Sequence, residues 1–321
     1  MSEPSTRREK GGMGAILLAC CTIGALTVAA TLRLAPERGN SPGSKIPLIA
    51  TEEYGKRLLA QTPEYLGPDV ADPKMRYTDS RLSCGSCHLG TGEEPGTLSL
   101  PATTQHYPRF SPRASATTTI EDRVNECMTR SLNGRALPKD SPEMIAMASY
   151  IRSLAVKDAA TGESARKATE PPPLHVPDRK ANLEAGKQVF EKRCTPCHGD
   201  DGLGLLASSN PIHGYVFPPL WGPDSFNTGA GMHRVLTAAR FIKARMPLGR
   251  PDLSDDQAYD VAAFINSQPR PEMANLAADY PDTKAKPVDT SYGPFADSFP
   301  LDQHRFGPFA PIEAYYKKAQ K

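Results

Sequence analysis

A chain of 321 residues has room for two domains of ordinary size, which excludes a miniature scaffold held together by staples alone. Lys and Arg number 38 against 36 Asp and Glu, a formal charge of +2, so the charge balance makes no case for nucleic acid as a partner. Proline, at 32 residues, runs at about twice the usual ~5%, so loops and helices of modest length are expected in place of long strands.

The chain opens on Arg7, Arg8 and Lys10, after which no charged residue appears until Arg33. A positive flank before an apolar run is an export signal, and residues 1–35 read as a signal peptide or an N-terminal membrane anchor. The apolar stretch 11–32 is longer than the ~7–15 residues a cleaved signal needs and close to the ~20 of a spanning helix, which favours an uncleaved tether to the inner membrane over cleavage near Ala30. Either way the remainder of the chain lies outside the cytoplasm, in the periplasm.

Beyond the signal the pattern repeats. Residues 51–62 read as an amphipathic helix, followed by a punctuated loop and Cys84-Gly85-Ser86-Cys87-His88. Residues 182–193 read likewise and run into Cys194-Thr195-Pro196-Cys197-His198. Each half closes on a capped helix, the first starting at Ser141 with Pro142 and Glu143, the second at Ser254 with Asp255 and Asp256. With a Cys-x-x-Cys-His motif of the kind that attaches haem c in each, the two repeats predict an all-α fold of two tandem class I cytochrome c-like domains, 48–160 and 181–275, joined by a linker over 161–180. Residues 276–321, rich in Pro, Asp and aromatics and without helical or strand period, are expected to form an extended tail lying across one of the domains.

The Cys-x-x-Cys-His spacing is the signature of covalent haem c attachment, two thioethers and an axial imidazole. Two copies predict two covalently bound haem c groups, one on Cys84 and Cys87 with His88, the other on Cys194 and Cys197 with His198. A zinc site would have to join cysteines from both halves and ignore the histidine that follows each pair. In the second half Met246, in a Met-Pro loop before the last helix, supplies a thioether sixth ligand of the kind that raises the potential. Lys243, His213 and His233 are alternatives.

The first half has no methionine at the corresponding place. Met144 and Met147 fall inside its last helix as core residues, and the nearest soft ligands are Cys127 and Met128. Cys127 is the cysteine beyond the signal that neither attachment motif uses, so it is read as a ligand or reactive thiol, with a small buried hydrophobe as the alternative. Arg113, Arg123, Arg130, Arg135 and Lys139 make the surrounding stretch the most cationic of the two domains, a surface that would attract a small dianion.

The segment YPRFSPRASATTTIEDRVNECMTRSLNGRALPKDSPEM, with CGSCH before it, and FPPLWGPDSFNTGAGMHRVLTAARFIKARMPLG after CTPCH resemble the diheme thiosulfate dehydrogenases, and the resemblance extends from about residue 48 to FPLDQHRFGPFAPI. It implies an oxidoreductase that couples two thiosulfate ions to tetrathionate, reversibly in some members, and passes the electrons to a cytochrome or other redox protein. It further implies a His88/Cys127 pair at the active haem, a His198/Met246 pair at the second, and substrate contacts from Arg113, Arg123 and Ser131. The chain departs from the family in its long N-terminal segment and in Arg245 directly before Met246. Two other readings share the haem motifs. An electron-transfer subunit of a respiratory or dehydrogenase complex would leave Cys127 without a role, and a sulfur-carrier cytochrome subunit would use a haem-bound cysteine to load a partner protein.

Overall fold

The computed structural model describes residues 51–94, 98–101, 106–159 and 173–319. The expected export segment, including the anchor over 11–32, lies outside the described residues, as does most of the linker. Among the described residues no helix is long and apolar enough to cross a membrane.

Two apolar cores are built to one plan. In the first, helix α1 (Glu52–Ala60) starts where the Thr51 side chain accepts the Tyr54 N–H, and continues through a short α2 (Thr62–Leu66). The last helix, α4 (Pro142–Ala159), starts where Ser141 Oγ accepts the Met144 N–H, and it carries Met144 and Met147 into the core with no exposure. In the second, α5 (Leu183–Arg193) is capped by Asn182, and α8 (Asp255–Ser267) by a Ser254/Gln257 capping box. These first and last helices cross at a glycine in both halves. A Cβ on Gly55 would stand 2.1 Å from the Ala146 carbonyl oxygen, and one on Gly186 would stand 2.1 Å from that of Asp260, so backbone meets backbone where any side chain would wedge the pair apart.

Helices dominate, as the all-α expectation has it, with little strand beside them. Two short antiparallel ribbons are present, β1 (Arg109–Ser111) with β2 (Ala116–Thr118), and β3 (Leu205–Leu206) with β4 (Tyr215–Phe217). Each folds an irregular loop back on itself, so that its backbone groups pair within the loop. The ribbon β1–β2 leads into α3 (Ile120–Glu126), which begins on a Thr119/Asp122 capping box. In the second half a one-turn α6 (Thr195–His198) carries the attachment motif, and α7 (Val235–Arg245) leads to Met246.

The tail is not simply extended. It forms α9 (Leu301–Phe306) and α10 (Ala310–Ala319), and Phe306, Phe309, Ile312 and Tyr316 are part of the second core. The segment before them reaches the first half instead. Tyr280 N–H donates to the Arg113 carbonyl at 2.9 Å, and Asp279 receives Arg130. The halves also meet directly, where Asp224 accepts the Arg81 N–H and Asn227 donates to Thr129 O and Asn133 Oδ1.

Candidate active site and haem cradles

Both attachment motifs wind into a single turn. His88 N–H donates to Cys84 O at 2.9 Å and His198 N–H to Cys194 O at 3.0 Å, which sets two thiols and an imidazole along the rim of an apolar cavity. The first cavity, about 180 Å³, is walled by residues such as Leu100, Ile120, Met128, Met147 and Ile151. The second, about 240 Å³, is walled by Phe217, Pro218, Phe241, Ile242 and Ile265 among others. Phe226 and Met232 line both, so the two cavities share a wall.

The donor set fits haem c in each. His88 Nδ1 lies 2.7 Å from Leu98 O, and His198 Nδ1 lies 2.8 Å from Pro218 O, so the bond to the carbonyl fixes each ring and leaves Nε2 for a metal. Met246 faces the second cavity together with His198. The alternative ligands are engaged elsewhere. Lys243 Nζ donates to Leu253 O at 2.7 Å, His213 meets Glu64 at 2.9 Å, and His233 is hydrogen-bonded through Nδ1 to Thr228 O and Ser291.

Cys127 sits where α3 passes into a single π turn, Cys127–Ser131, closed by Leu132 N–H donating to Cys127 O at 3.0 Å. The wider turn is a local device that spacing in the sequence does not reveal, and such turns recur at functional sites. Arg123 lies one helical turn before the cysteine and Ser131 at the end of the π turn, and all three line both the apolar cavity and a polar annex of about 410 Å³ beside it. Burial acts to raise the Cys127 thiol, but the Arg123 charge and hydrogen bonding from His88 outweigh it and bring the group down to about 7. At the attachment cysteines Cys84, Cys87 and Cys194 burial dominates instead, pushing Cys87 up to about 12 and Cys84 and Cys194 up to about 11. Cys127 is therefore chemically set apart from them.

Of the cationic stretch, Arg113, Arg123 and Arg130 reach the annex and two residues do not. Arg135 stacks on Tyr77 at 3.8 Å and donates to Arg76 O, while Lys139 pairs with Asp122 at 2.6 Å. Their side chains leave the loop on its outer side, so proximity in sequence misplaces them.

The annex arginines are braced by tail residues that the sequence did not single out. Arg130 makes a bidentate pair with Asp279, both contacts at 2.8 Å, and Tyr292 Oη donates to the same carboxylate at 2.6 Å. Arg113 lies 3.9 Å from Asp279 and donates through Nε to Tyr280 Oη at 3.3 Å. Arg109, Arg234 and Thr237 also line the annex. The charged partners are 149 residues apart, and no local signal joins them.

Residues 75–157 match the family model "SoxA/TsdA, cytochrome c domain", and residues 181–265 match "Cytochrome C oxidase, cbb3-type, subunit III". Thiosulfate dehydrogenase of Allochromatium vinosum is 41% identical over 230 residues, covering 70% of this chain and 80% of that protein. The enzyme of the same name from Thiomonas intermedia is 31% identical over 300 residues, covering 86% and 90%. Among solved structures, thiosulfate dehydrogenase TsdBA from Marichromatium purpuratum in its as-isolated form superposes with a TM-score of 0.64 at 31% identity over 84% of this chain. The present chain spans only 54% of that longer one. Two cytochrome c domains, each with its own attachment motif and cavity, carry two covalently bound haem c groups. Matched across four fifths of the Allochromatium enzyme and nine tenths of the Thiomonas one, the chain belongs to the thiosulfate dehydrogenase family.

Proposed function

We propose that this chain is a periplasmic diheme cytochrome c that joins two thiosulfate ions into tetrathionate and hands two electrons to a redox protein, with Cys127 as the reacting sulfur. The observation that supports this most is the placement of Cys127. It lines, with His88, the cavity that would receive the first haem, and it is lowered to about 7 chiefly by Arg123 against the effect of burial.

His88 and Cys127 would hold the first haem, and His198 and Met246 the second, through thioethers from Cys84, Cys87, Cys194 and Cys197. When bound, the two haems supply one-electron acceptors for the two electrons that sulfur–sulfur bond formation releases. The chain's own residues do the rest. Arg123 and Arg113 neutralise a thiosulfate dianion as it enters the annex, and Ser131 offers its hydroxyl to a sulfonate oxygen. The Cys127 thiolate bonds the outer sulfur, giving a cysteinyl thiosulfonate with loss of two electrons. A second thiosulfate then attacks the sulfur attached to Cys127, the new sulfur–sulfur bond completes tetrathionate, and the cysteine leaves as thiolate. No proton is needed in either step, which suits a pocket of fixed arginine charges.

The test is thiosulfate turnover with an artificial electron acceptor, comparing haem-loaded parent protein with Cys127→Gly. Loss of tetrathionate with both haems retained supports the reading. Full turnover by the variant would reject it in favour of an electron-transfer subunit.

A further inference from the structure

The reaction takes two dianions per turnover, yet Arg113, Arg123 and Ser131 account for one. Five arginines line the annex. Three carboxylates meet four of them: Glu126 with Arg123, Asp279 with Arg130 and Arg113, and Asp289 with Arg234. Arg109 is the annex arginine with no carboxylate partner among the described residues.

Its position is built in. On β1 the side chains alternate, so Arg109 and Ser111 share the face that lines the annex, while Phe110 points outward and is 62% exposed. The strand is held by its pairing with β2, Arg109 opposite Thr118, and Thr118 Oγ1 donates to Arg109 O at 3.2 Å. The Arg109 guanidinium lies 5.2 Å from the centre of the Tyr107 ring.

We infer that Arg109 and Ser111 form an outer subsite for the second thiosulfate, the ion that attacks the Cys127 thiosulfonate. This rests on Cys127 forming that conjugate, as proposed above. Once the first thiosulfate is bound covalently, Arg123 and Arg113 remain on its sulfonate. The incoming dianion then needs a cation that is neither neutralised by a carboxylate nor already engaged, and Arg109 meets both conditions at the solvent side of the annex. The attack forms the central sulfur–sulfur bond of tetrathionate and breaks the bond to Cys127, and the electron pair leaves with the cysteine, so the step requires no further oxidant.

The two half-reactions can be read separately on haem-loaded protein. Oxidised parent, Arg109→Gln and Arg109→Lys are each mixed with a single equivalent of thiosulfate. Haem reduction is followed optically and the thiosulfate mass on Cys127 by mass spectrometry; excess thiosulfate is then added and tetrathionate release timed. In Arg109→Gln the conjugate should form within about twofold of the parent rate, whereas release should slow roughly tenfold or more, the loss of one charge-assisted contact. Arg109→Lys should recover most of the release rate, and added salt should slow release in the parent more than in Arg109→Gln. Release at the parent rate in Arg109→Gln, or conjugate formation slowed as much as release, would overturn the outer subsite while leaving the Cys127 chemistry intact. A parent protein that takes up no thiosulfate mass at Cys127 would overturn both.

Discussion

Replacing Asp279 with Asn should unfasten the annex at a single atom. Asp279 accepts two hydrogen bonds from Arg130 at 2.8 Å and one from Tyr292 at 2.6 Å, and it lies 3.9 Å from Arg113. The side chains of Arg130 and Asp279 are only 10% and 11% exposed. The amide keeps the shape and one acceptor but removes the charge, leaving Arg130 with the Gly229 carbonyl at 3.2 Å and an Nε that already has no partner. Stranding one partner of a buried pair costs about 3–5 kcal/mol. For a protein of this size each kcal/mol moves the midpoint by about 2–4 °C, so a fall of roughly 6–20 °C is expected. Asp302→Asn is the control. Its pair with Lys180 is more than half exposed on both sides, and its loss should cost about 1 kcal/mol at most. Thermal and urea unfolding of the haem-loaded proteins by circular dichroism measure both. The same Asp279 variant should raise the thiosulfate KM, because Arg113 loses its anchor. An Asp279→Asn protein within about 1 kcal/mol of the parent would show that the clamp does not hold the annex.

Cys127→Gly should keep both haems by intact mass, alter the low-spin signal of the first, and abolish tetrathionate formation. The pH profile of kcat/KM should fall as the pH drops below about 7, because the thiolate is the form present above that value, and in Arg123→Gln the limb should move to higher pH, since burial then acts with less opposition. Met246→Ala should lower the potential of the second haem and remove its sulfur-to-iron near-infrared band, whereas Lys243→Ala, whose ammonium is held by Leu253 O, should leave both unchanged.

What was legible in the sequence was short-range. Ser141 and Ser254 start helices because a side-chain oxygen reaches an N–H three residues on, and the two Cys-x-x-Cys-His turns close within five residues. Arg135 was grouped with the annex because it is near Cys127 in the chain, but a loop that follows a π turn sends neighbouring side chains to opposite sides. The tail helices were hidden by Pro300, Gly307 and Pro308, although Phe309, Ile312 and Tyr316 recur at helical spacing and now lie in the second core. Asp279 could not be read at all, since a carboxylate that serves an arginine so far away leaves no local pattern.

The clamp also makes the annex depend on residues far along the chain. The segment carrying Asp279, Tyr280 and Tyr292 lies between the two cores in space and after both in sequence, and the helices that follow it are seated on the second. The first cavity takes Phe226 and Met232 of the second half into its wall, and Arg113 and Arg130 meet Asp279 of the tail, so neither the cavity nor the annex is complete from the first half alone. A protein shortened after α8 would still contain both attachment motifs, Cys127 and Arg123, and would lack a finished place for thiosulfate. The finished annex therefore depends on a segment that follows both cores in sequence.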